Sequence, residues 1–503
     1  MKNSYIVKTL GCKANLYDSQ LIEAELQKRG WTPFQNATQE ETGPELCIVN
    51  SCTVTDEADR QSRKMAAKLF RDNPAARVVM TGCGAEVDPE RMAQSKGIHY
   101  VVGNRDKPGL VNLILEKLEN EKLEKQKLEA SGMPVEVPSE LGEILGGAQG
   151  YEKMLSRHPM DRDWYLEEGF ITPPVALVGH SAKTRAFLKI QEGCNAFCTY
   201  CIIPYGRGPS RSIKPGEVIR QVRELVAQGI QEVVITGTNV GDYGTDWDPT
   251  QKMSEQLVSL FRAILDQTDL KRLRVSSLDP VEITPELMSL MESNSRFCPH
   301  FHVSLQSVHS KILKLMKRKY GTSEVESCLE AISRLNVATG GVFVGMDIIT
   351  GFPGETDEDF EQSYQLLSKL PWTRLHVFSF SDRKGTPATR LPGSVRQEVR
   401  VQRARRLNAL SLERMKTFYE DVLRKSNQAG LAIEGVLLER GGSNLGDQGQ
   451  WVSGYSSGYL RVLIPADQAE GLRNREVVVL PTEIWVDGAS NEVALLGNLP
   501  VHR

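Results

Sequence analysis

The chain has 503 residues, more than one hydrophobic core usually supports, so several domains are expected. With 61 basic and 64 acidic side chains the net charge is −3, which excludes a histone-like protein that binds nucleic acid through bulk charge; any such contact must come from local patches. The opening MKNSYIVKTLGCKANLYDSQ lacks the apolar run of a signal peptide, and no stretch reaches the roughly 18 apolar residues of a membrane helix. A cytoplasmic protein without membrane association is expected, and in that reducing setting nine cysteines are read for metal or redox chemistry rather than disulfides.

The first hundred residues predict an α/β unit: strand YIVKTLGC, helix NLYDSQLIEAELQKRG, strand LCIVNSC, helix ADRQSRKMAAKLF, strand RVVMTGC, a short helix, then strand HYVVG. The first three strands each end in a cysteine, Cys12, Cys52 and Cys83, and parallel pairing would bring those ends to one edge of a sheet. The structural alternative is that they are buried core cysteines. Cys47, inside its strand, is assigned to the core; Cys298 and Cys328 have no partner spacing and are read as ordinary core or surface residues. From Asn104 to about Lys183 runs a long connection. It opens with the charged helical run LEKLENEKLEKQKLEA, a solvated helix face, and is expected to be disordered, a helical insertion, or a cover over a cleft.

After the alternating stretch AFLKI, the segment GCNAFCTYC sets Cys194, Cys198 and Cys201 in a C-x3-C-x2-C pattern. Structural zinc commonly uses a second Cys or His pair, and none is nearby in sequence. An iron–sulfur cubane normally takes four cysteines, so three would leave one iron open for a ligand. Strands then alternate with helical segments near 186–191, 232–237, 272–277, 300–305, 342–349 and 374–380, which argues a parallel sheet of six βα units. In such sheets ligands collect at the C-terminal strand ends. There lie Gly237 and Asn239 in GTNVGDYG, Ser276 and Ser277, His302 to Gln306, and Asp347 in DIITGFPG. Glycine permits close backbone approach and Ser, Asn, Gln and Asp bond polar groups, although any one glycine here is as readily a turn residue.

From about Gly430 onward, short segments (IEGVLLE, YLRVLIP, EVVVLP, VALLG) between Gly, Asn and Asp suggest a small antiparallel barrel. It carries five Lys or Arg against nine Asp or Glu over 431–503, so a basic face there must be small. Residues 383–406 hold eight Lys or Arg against one Glu, and Lys311, Lys314, Lys317, Arg318 and Lys319 form a second basic group; both are candidates for phosphate contacts or solvated helix faces. Arg207 and Arg211 adjoin the cysteine loop and are the expected substrate contacts.

GCNAFCTYC resembles the signature of the radical S-adenosylmethionine (SAM) superfamily, in which a fourth iron chelates SAM and reductive cleavage yields a 5′-deoxyadenosyl radical. That resemblance makes Cys194, Cys198 and Cys201 catalytic and cluster-binding, and makes Gly237, Asn239, Ser276, Ser277, Gln306 and Asp347 SAM contacts in a partial (βα)6 barrel. A three-cysteine α/β domain, a CxxxCxxC barrel and a small β domain, in that order, resemble the organisation of radical SAM methylthiotransferases. The implied architecture is α/β: a Rossmann-like parallel-sheet domain over 1–110, a linker or insertion over 111–182, the radical SAM core over 183–425, and a β-barrel similar to the TRAM domain over 430–503. The implied cofactors are SAM and two 4Fe–4S clusters, the second held by Cys12, Cys52 and Cys83 and providing or relaying sulfur.

TLGCKANLYDSQ, VNSCTVTDEADRQSRK and CTYCIIPYGRGPSRS resemble the branch that acts on N6-threonylcarbamoyladenosine at position 37 of tRNA. The implied reaction abstracts hydrogen from adenine C2 and joins a methylthio group to that carbon, with tRNA as substrate, a flavodoxin or ferredoxin as electron donor, and a sulfur donor that the sequence does not name. Alternatives are the isopentenyladenosine branch, the branch that modifies a ribosomal-protein aspartate, and a two-cluster electron-transfer protein. One departure lies at Gln306-Ser307-Val308-His309, where the family commonly has glycine in place of Val308.

Overall fold

The structure is a computed structural model that describes residues 3–34, 43–131, 142–146, 184–247, 253–335, 341–439, 443–444 and 450–500. It divides into two compact units. One comprises Met1–Gly179 with Glu192–Arg211 and Ser381–Thr386; the other comprises His180–Gln191, Ser212–Phe380 and Pro387–Arg503.

In the first unit, period-two patterning builds a doubly covered sheet. Strands β1 (Ser4–Thr9), β2 (Thr32–Pro33), β3 (Leu46–Ser51), β4 (Arg77–Gly82), β5 (Tyr100–Val102) and β6 (Glu143–Leu145) pair in the order β2-β1-β3-β4-β5-β6, with every pair parallel. β3 is buried at all six positions, as a central parallel strand with helices on both faces must be. Leu46 and Ile48 face one cluster with Ile22 and Leu26 of α1 (Lys13–Lys28), whereas Cys47 and Val49 face the other with Ala66 and Leu69 of α2 (Asp56–Asp72). Cys47 is therefore core, as its place inside the strand implied. α2 begins at Thr55, whose side chain accepts from the Ala58 amide, and carries Asp56, Glu57 and Asp59 in its first turn, where carboxylates complement the helix dipole. The short helices α3 (Cys83–Val87) and α4 (Pro89–Ala93) follow β4.

The stretch after Asn104 continues this α/β order instead of leaving it. Helix α5 (Leu110–Ser131) buries Leu110, Val111, Ile114 and Leu118 against the sheet, and β6 then adds a sixth parallel strand beside β5. Only its second half is solvated, as expected of the charge run. The rest of the expected linker, 132–141 and 147–182, lies outside the described residues.

In the second unit, β7 (Arg185–Glu192), which ends in the first unit at Glu192, β9 (Glu232–Gly237) and β10 (Arg272–Val275) form one parallel sheet with the short edge strand β8 (Arg211–Ser212). A second parallel sheet follows from β11 (Ser277–Leu278) through β12 (His300–Gln306) and β13 (Phe343–Thr350) to β14 (Arg374–Ser379). β10 and β11 are one predicted strand interrupted at Ser276, so the six expected strands are present and the ladder breaks once. The C-terminal strands β15 (Ile433–Leu438), β17 (Gln450–Tyr455), β18 (Arg461–Pro465), β19 (Glu476–Asp487) and β20 (Glu492–Asn498) close into a barrel, because β15 pairs with both β19 and β17; β16 (Ser443–Asn444) adds to β17. One pair departs from the antiparallel expectation: β18 and β20 run parallel. Met415 and Tyr419 of the helix Gln397–Ala429 complete this barrel's core.

The barrel sits at the N-terminal ends of the parallel strands. Arg272, the first residue of β10, donates to the carbonyls of Gly435, Tyr455 and Ser456, and Arg185, the first residue of β7, pairs with Glu439 at 2.6 Å. Glu232, fully buried, faces Arg274 at 2.7 Å and Arg272 at 2.9 Å. Burial works against its charge, but Arg274, Arg272 and Arg185 outweigh burial and hold the carboxyl down to about 2. Gly237 and Gln306 lie at the opposite, C-terminal ends of β9 and β12.

Candidate metal centres and cofactor face

The dispersed triplet is made by topology. Cys12 precedes α1, Cys52 follows β3, and Cys83 opens α3 after β4, so three adjacent strands deliver their ends to one edge. Cys12 is exposed while Cys52 and Cys83 are buried. The Cys52 thiol is pushed up to about 12 by burial first and then by neighbouring Cys83, with Cys12 adding to it; the three sulfurs are within electrostatic reach of one another. Gly11 makes the close approach possible. Its φ is +92°, and a Cβ there would lie 2.6 Å from Cys52 Cβ and Sγ.

The compact triplet lies on a loop that belongs to the same unit. Gly193, at φ +75°, precedes Cys194, and a Cβ there would meet the Pro209 carbonyl; the Cys194 amide donates to Gly208 O at 3.0 Å and closes the loop. Phe197 adopts φ +47°, a conformation few non-glycine residues take, and turns the chain between Cys194 and Cys198. The Cys201 amide donates to Cys198 O at 2.9 Å. Cys198 is buried, and Cys194 and Cys201 are half-buried.

Among the described residues no three His, Cys, Asp or Glu side chains meet the geometry of a single metal ion. The donor chemistry fits clusters. Each triplet supplies three thiols, and each has an N–H aimed at sulfur of the kind that tunes an iron–sulfur centre: Asn104 Nδ2 lies 3.4 Å from Cys83 Sγ, and the Ala196 amide 3.4 Å from Cys194 Sγ. Cys298 and Cys328 are buried and their thiols raised by burial, as core cysteines are.

The expected substrate contacts divide. Arg207 is 2% exposed, its guanidinium held by Glu192 at 2.5 Å, Asp18 at 3.2 Å and Asn15. Burial opposes its charge, yet Glu192, Cys83, Asp18 and Cys12 outweigh burial and raise its pKa. Arg207 is thus enclosed by protein partners on both sides. Arg211 is half-buried and donates to the Pro209 and Arg207 carbonyls.

In the second unit the expected SAM contacts have distinct local places: Gly237 and Gln306 end their strands, Asn239 follows β9, Ser276 and Ser277 lie at the break between β10 and β11, and Asp347 lies inside β13. Gly237 packs on Gln191, whose Oε1 accepts from the Asn239 amide at 2.8 Å. Ser276, at the break between β10 and β11, is buried, and its Oγ has no partner among the described residues, an orphan that a polar ligand atom would satisfy. Ser277 pairs with His302 across β11 and β12. Gln306 ends β12 at φ +64°, and Asp347 on β13 lies 2.9 Å from His302 Nε2. The His302 ring stacks on His376 of β14, with centroids 5.2 Å apart. No motif or spacing singles out His376, Asn15, Asp18 or Glu192, and Asn104 enters only as the start of the long connection; a His at an alternate position of β14 is the signal that marks His376. Val308 is fully buried, and Thr322 Oγ1 bonds its carbonyl at 2.7 Å.

About half of each basic run is engaged internally. Arg383 pairs with Asp56 at 2.5 Å, Arg403 with Glu355 and Asp357, Arg406 with Glu361, and Arg400 donates to Phe380 O; Lys311 pairs with Asp359 and Arg318 with Asp279. No described helix is long and apolar enough to cross a membrane.

The family described as Radical SAM superfamily matches residues 188–367, and that described as Uncharacterized protein family UPF0004 matches 4–103. The chain is similar to the threonylcarbamoyladenosine tRNA methylthiotransferase of Aquifex aeolicus (strain VF5), 33% identical over 431 residues that cover 86% of this chain and 93% of that one. It is 31% identical to the protein of the same name from Bacillus subtilis (strain 168), covering 90% and 89%. It is also 30% identical to the tRNA-2-methylthio-N(6)-dimethylallyladenosine synthase of Carboxydothermus hydrogenoformans, covering 82% and 85%.

Proposed function

The chain belongs to the radical SAM methylthiotransferase family, and from that premise we propose that it transfers a methylthio group to C2 of N6-threonylcarbamoyladenosine at position 37 of tRNA. The observation that carries this reading is the pairing of two cysteine triplets in a chain whose similarity to threonylcarbamoyladenosine enzymes runs over nearly their full length. When bound, two 4Fe–4S clusters and SAM supply the radical and the methylthio sulfur. Cys194, Cys198 and Cys201 hold the cluster that leaves an iron open for SAM, and Cys12, Cys52 and Cys83 hold the other.

The protein's own work is ligation, orientation and exclusion of water. The orphan Ser276 hydroxyl, Ser277, Gln306 and Asp347, with Gly237 and Asn239, offer the polar and backbone contacts that orient SAM. Arg211, next to the cysteine loop, is the substrate contact this reading keeps. An aromatic C–H is a poor target for acid–base catalysis, so no carboxylate or histidine dyad is required of the site. The protein works in the cytoplasm, where tRNA and a flavodoxin or ferredoxin donor are found. Family membership sets aside a two-cluster electron carrier.

Nucleoside mass spectrometry of tRNA from cells with and without the protein tests the proposal, alongside Cys198→Ala. The 2-methylthio derivative of threonylcarbamoyladenosine is expected only with the intact protein. Its absence throughout, with abundant precursor, overturns the substrate; a methylthio group on isopentenyladenosine or on a ribosomal-protein aspartate then identifies the branch.

A further inference from the structure

The two cysteine triplets are joined inside the first unit by one buried guanidinium. Arg207 reaches Glu192, two residues before Cys194, at 2.5 Å, and on its other side Asn15 and Asp18 of α1, which begins after Cys12. Asn15 passes the connection on: its Nδ2 donates to Leu10 O at 2.8 Å and to Ser51 O at 2.9 Å, so it grips the chain just before Cys12 and just before Cys52. Asn104 completes the set. Its Nδ2 donates to Gly206 O at 2.7 Å and lies 3.4 Å from Cys83 Sγ. Lys107 Nζ, itself partly buried, lies 3.0 Å from Asp18 and balances the second carboxylate, so two cations face two anions.

From this geometry we infer that Arg207 is a positioning residue that fixes the separation of the two cysteine triplets, and hence of the two clusters they hold. The inference rests on the two-cluster reading above. Surface tethers between loops would slide; a planar guanidinium bonded on both sides, with its carboxylate partners themselves buried, has one geometry. Arg207 touches neither substrate nor reacting atoms in this account. Its removal should leave each cluster's own chemistry in place and spoil their cooperation.

The test uses the full chain, reconstituted with iron and sulfide, as wild type, Arg207→Lys and Arg207→Gln. Lysine keeps the charge and loses the two-sided fork. The readouts are iron content, the dipolar interaction between the two reduced clusters by pulsed electron paramagnetic resonance, and 5′-deoxyadenosine formed per methylthiolated nucleoside. With about eight irons retained, both variants are expected to show a weakened dipolar interaction, and the ratio of 5′-deoxyadenosine to product should rise roughly tenfold or more. An unchanged interaction and ratio in variants that keep both clusters overturn the inference. Selective loss of the Cys12/Cys52/Cys83 cluster also overturns it, since Arg207 would then serve assembly and not spacing. A wild-type chain that assembles one cluster only overturns the two-cluster reading itself, and the iron count separates that failure from the other two.

Discussion

The two cysteine triplets solve one problem in opposite ways. Cys194, Cys198 and Cys201 sit within eight residues on a loop shaped by its own backbone bonds, whereas Cys12, Cys52 and Cys83 are spread over 72 residues and meet only because three parallel strands end together. Both use the same local device, a left-handed glycine just before the first cysteine, Gly11 at φ +92° and Gly193 at φ +75°. The difference teaches that a compact ligand set is specified by sequence spacing, and a dispersed one by register and crossover, so perturbations should act on them differently.

The largest contrast comes from removing a ligand on either side. Cys198→Ala should abolish SAM cleavage and leave about half the iron, on the dispersed triplet; Cys83→Ala should also leave about half but keep SAM cleavage. Iron analysis and 5′-deoxyadenosine assays distinguish the two, and equal loss of both clusters in either variant breaks the contrast. Next are the glycines. Gly193→Ala, blocked by the Pro209 carbonyl, should damage only the loop's cluster, whereas Gly11→Ala, blocked by Cys52, should damage only the dispersed one. Both are read by cluster-resolved Mössbauer spectra.

Glu232 provides the control in the second unit. Glu232→Gln weakens a carboxylate between two buried arginines and should cost about 3–5 kcal/mol, measured by denaturant unfolding, while both cluster spectra stay unchanged. The pH dependence has a defined sign. The folded carboxyl is depressed to about 2, so its contribution is present above the unfolded value of about 4.3 and is lost as pH falls through about 2. Glu232→Gln should therefore flatten acid unfolding between those limits. The smallest effect is expected of Val308→Gly, which opens a fully buried site and loosens the backbone beyond Gln306; about 2 kcal/mol of stability should be lost with the cluster content intact.

The main strands of the three parallel sheets, though not the short β2, β6 and β8, and the edge that gathers Cys12, Cys52 and Cys83 were legible because parallel order fixes where strand ends lie. What was hidden has physical reasons. Leu110, Val111, Ile114 and Leu118 share one helix with a long charge run, and the charges masked the buried half of α5 and the strand that follows it. The break at Ser276 carries no Gly or Pro to announce it. The sequence neighbours of Arg207 are the cysteine loop, while two of its partners, Asn15 and Asp18, lie 192 and 189 residues away. No local pattern reports such a pairing. Of the basic run at 383–406, the arginines at 383, 400, 403 and 406 proved to be spent on internal partners that composition does not reveal.

The central claim is that the two triplets do different jobs in one reaction. It is tested most directly by measuring 5′-deoxyadenosine and methylthiolated nucleoside in the same reaction of Cys52→Ala with tRNA that carries threonylcarbamoyladenosine. SAM cleavage with no methylthiolated product is the predicted result; product formed at the wild-type rate, or cleavage lost together with product, would contradict it.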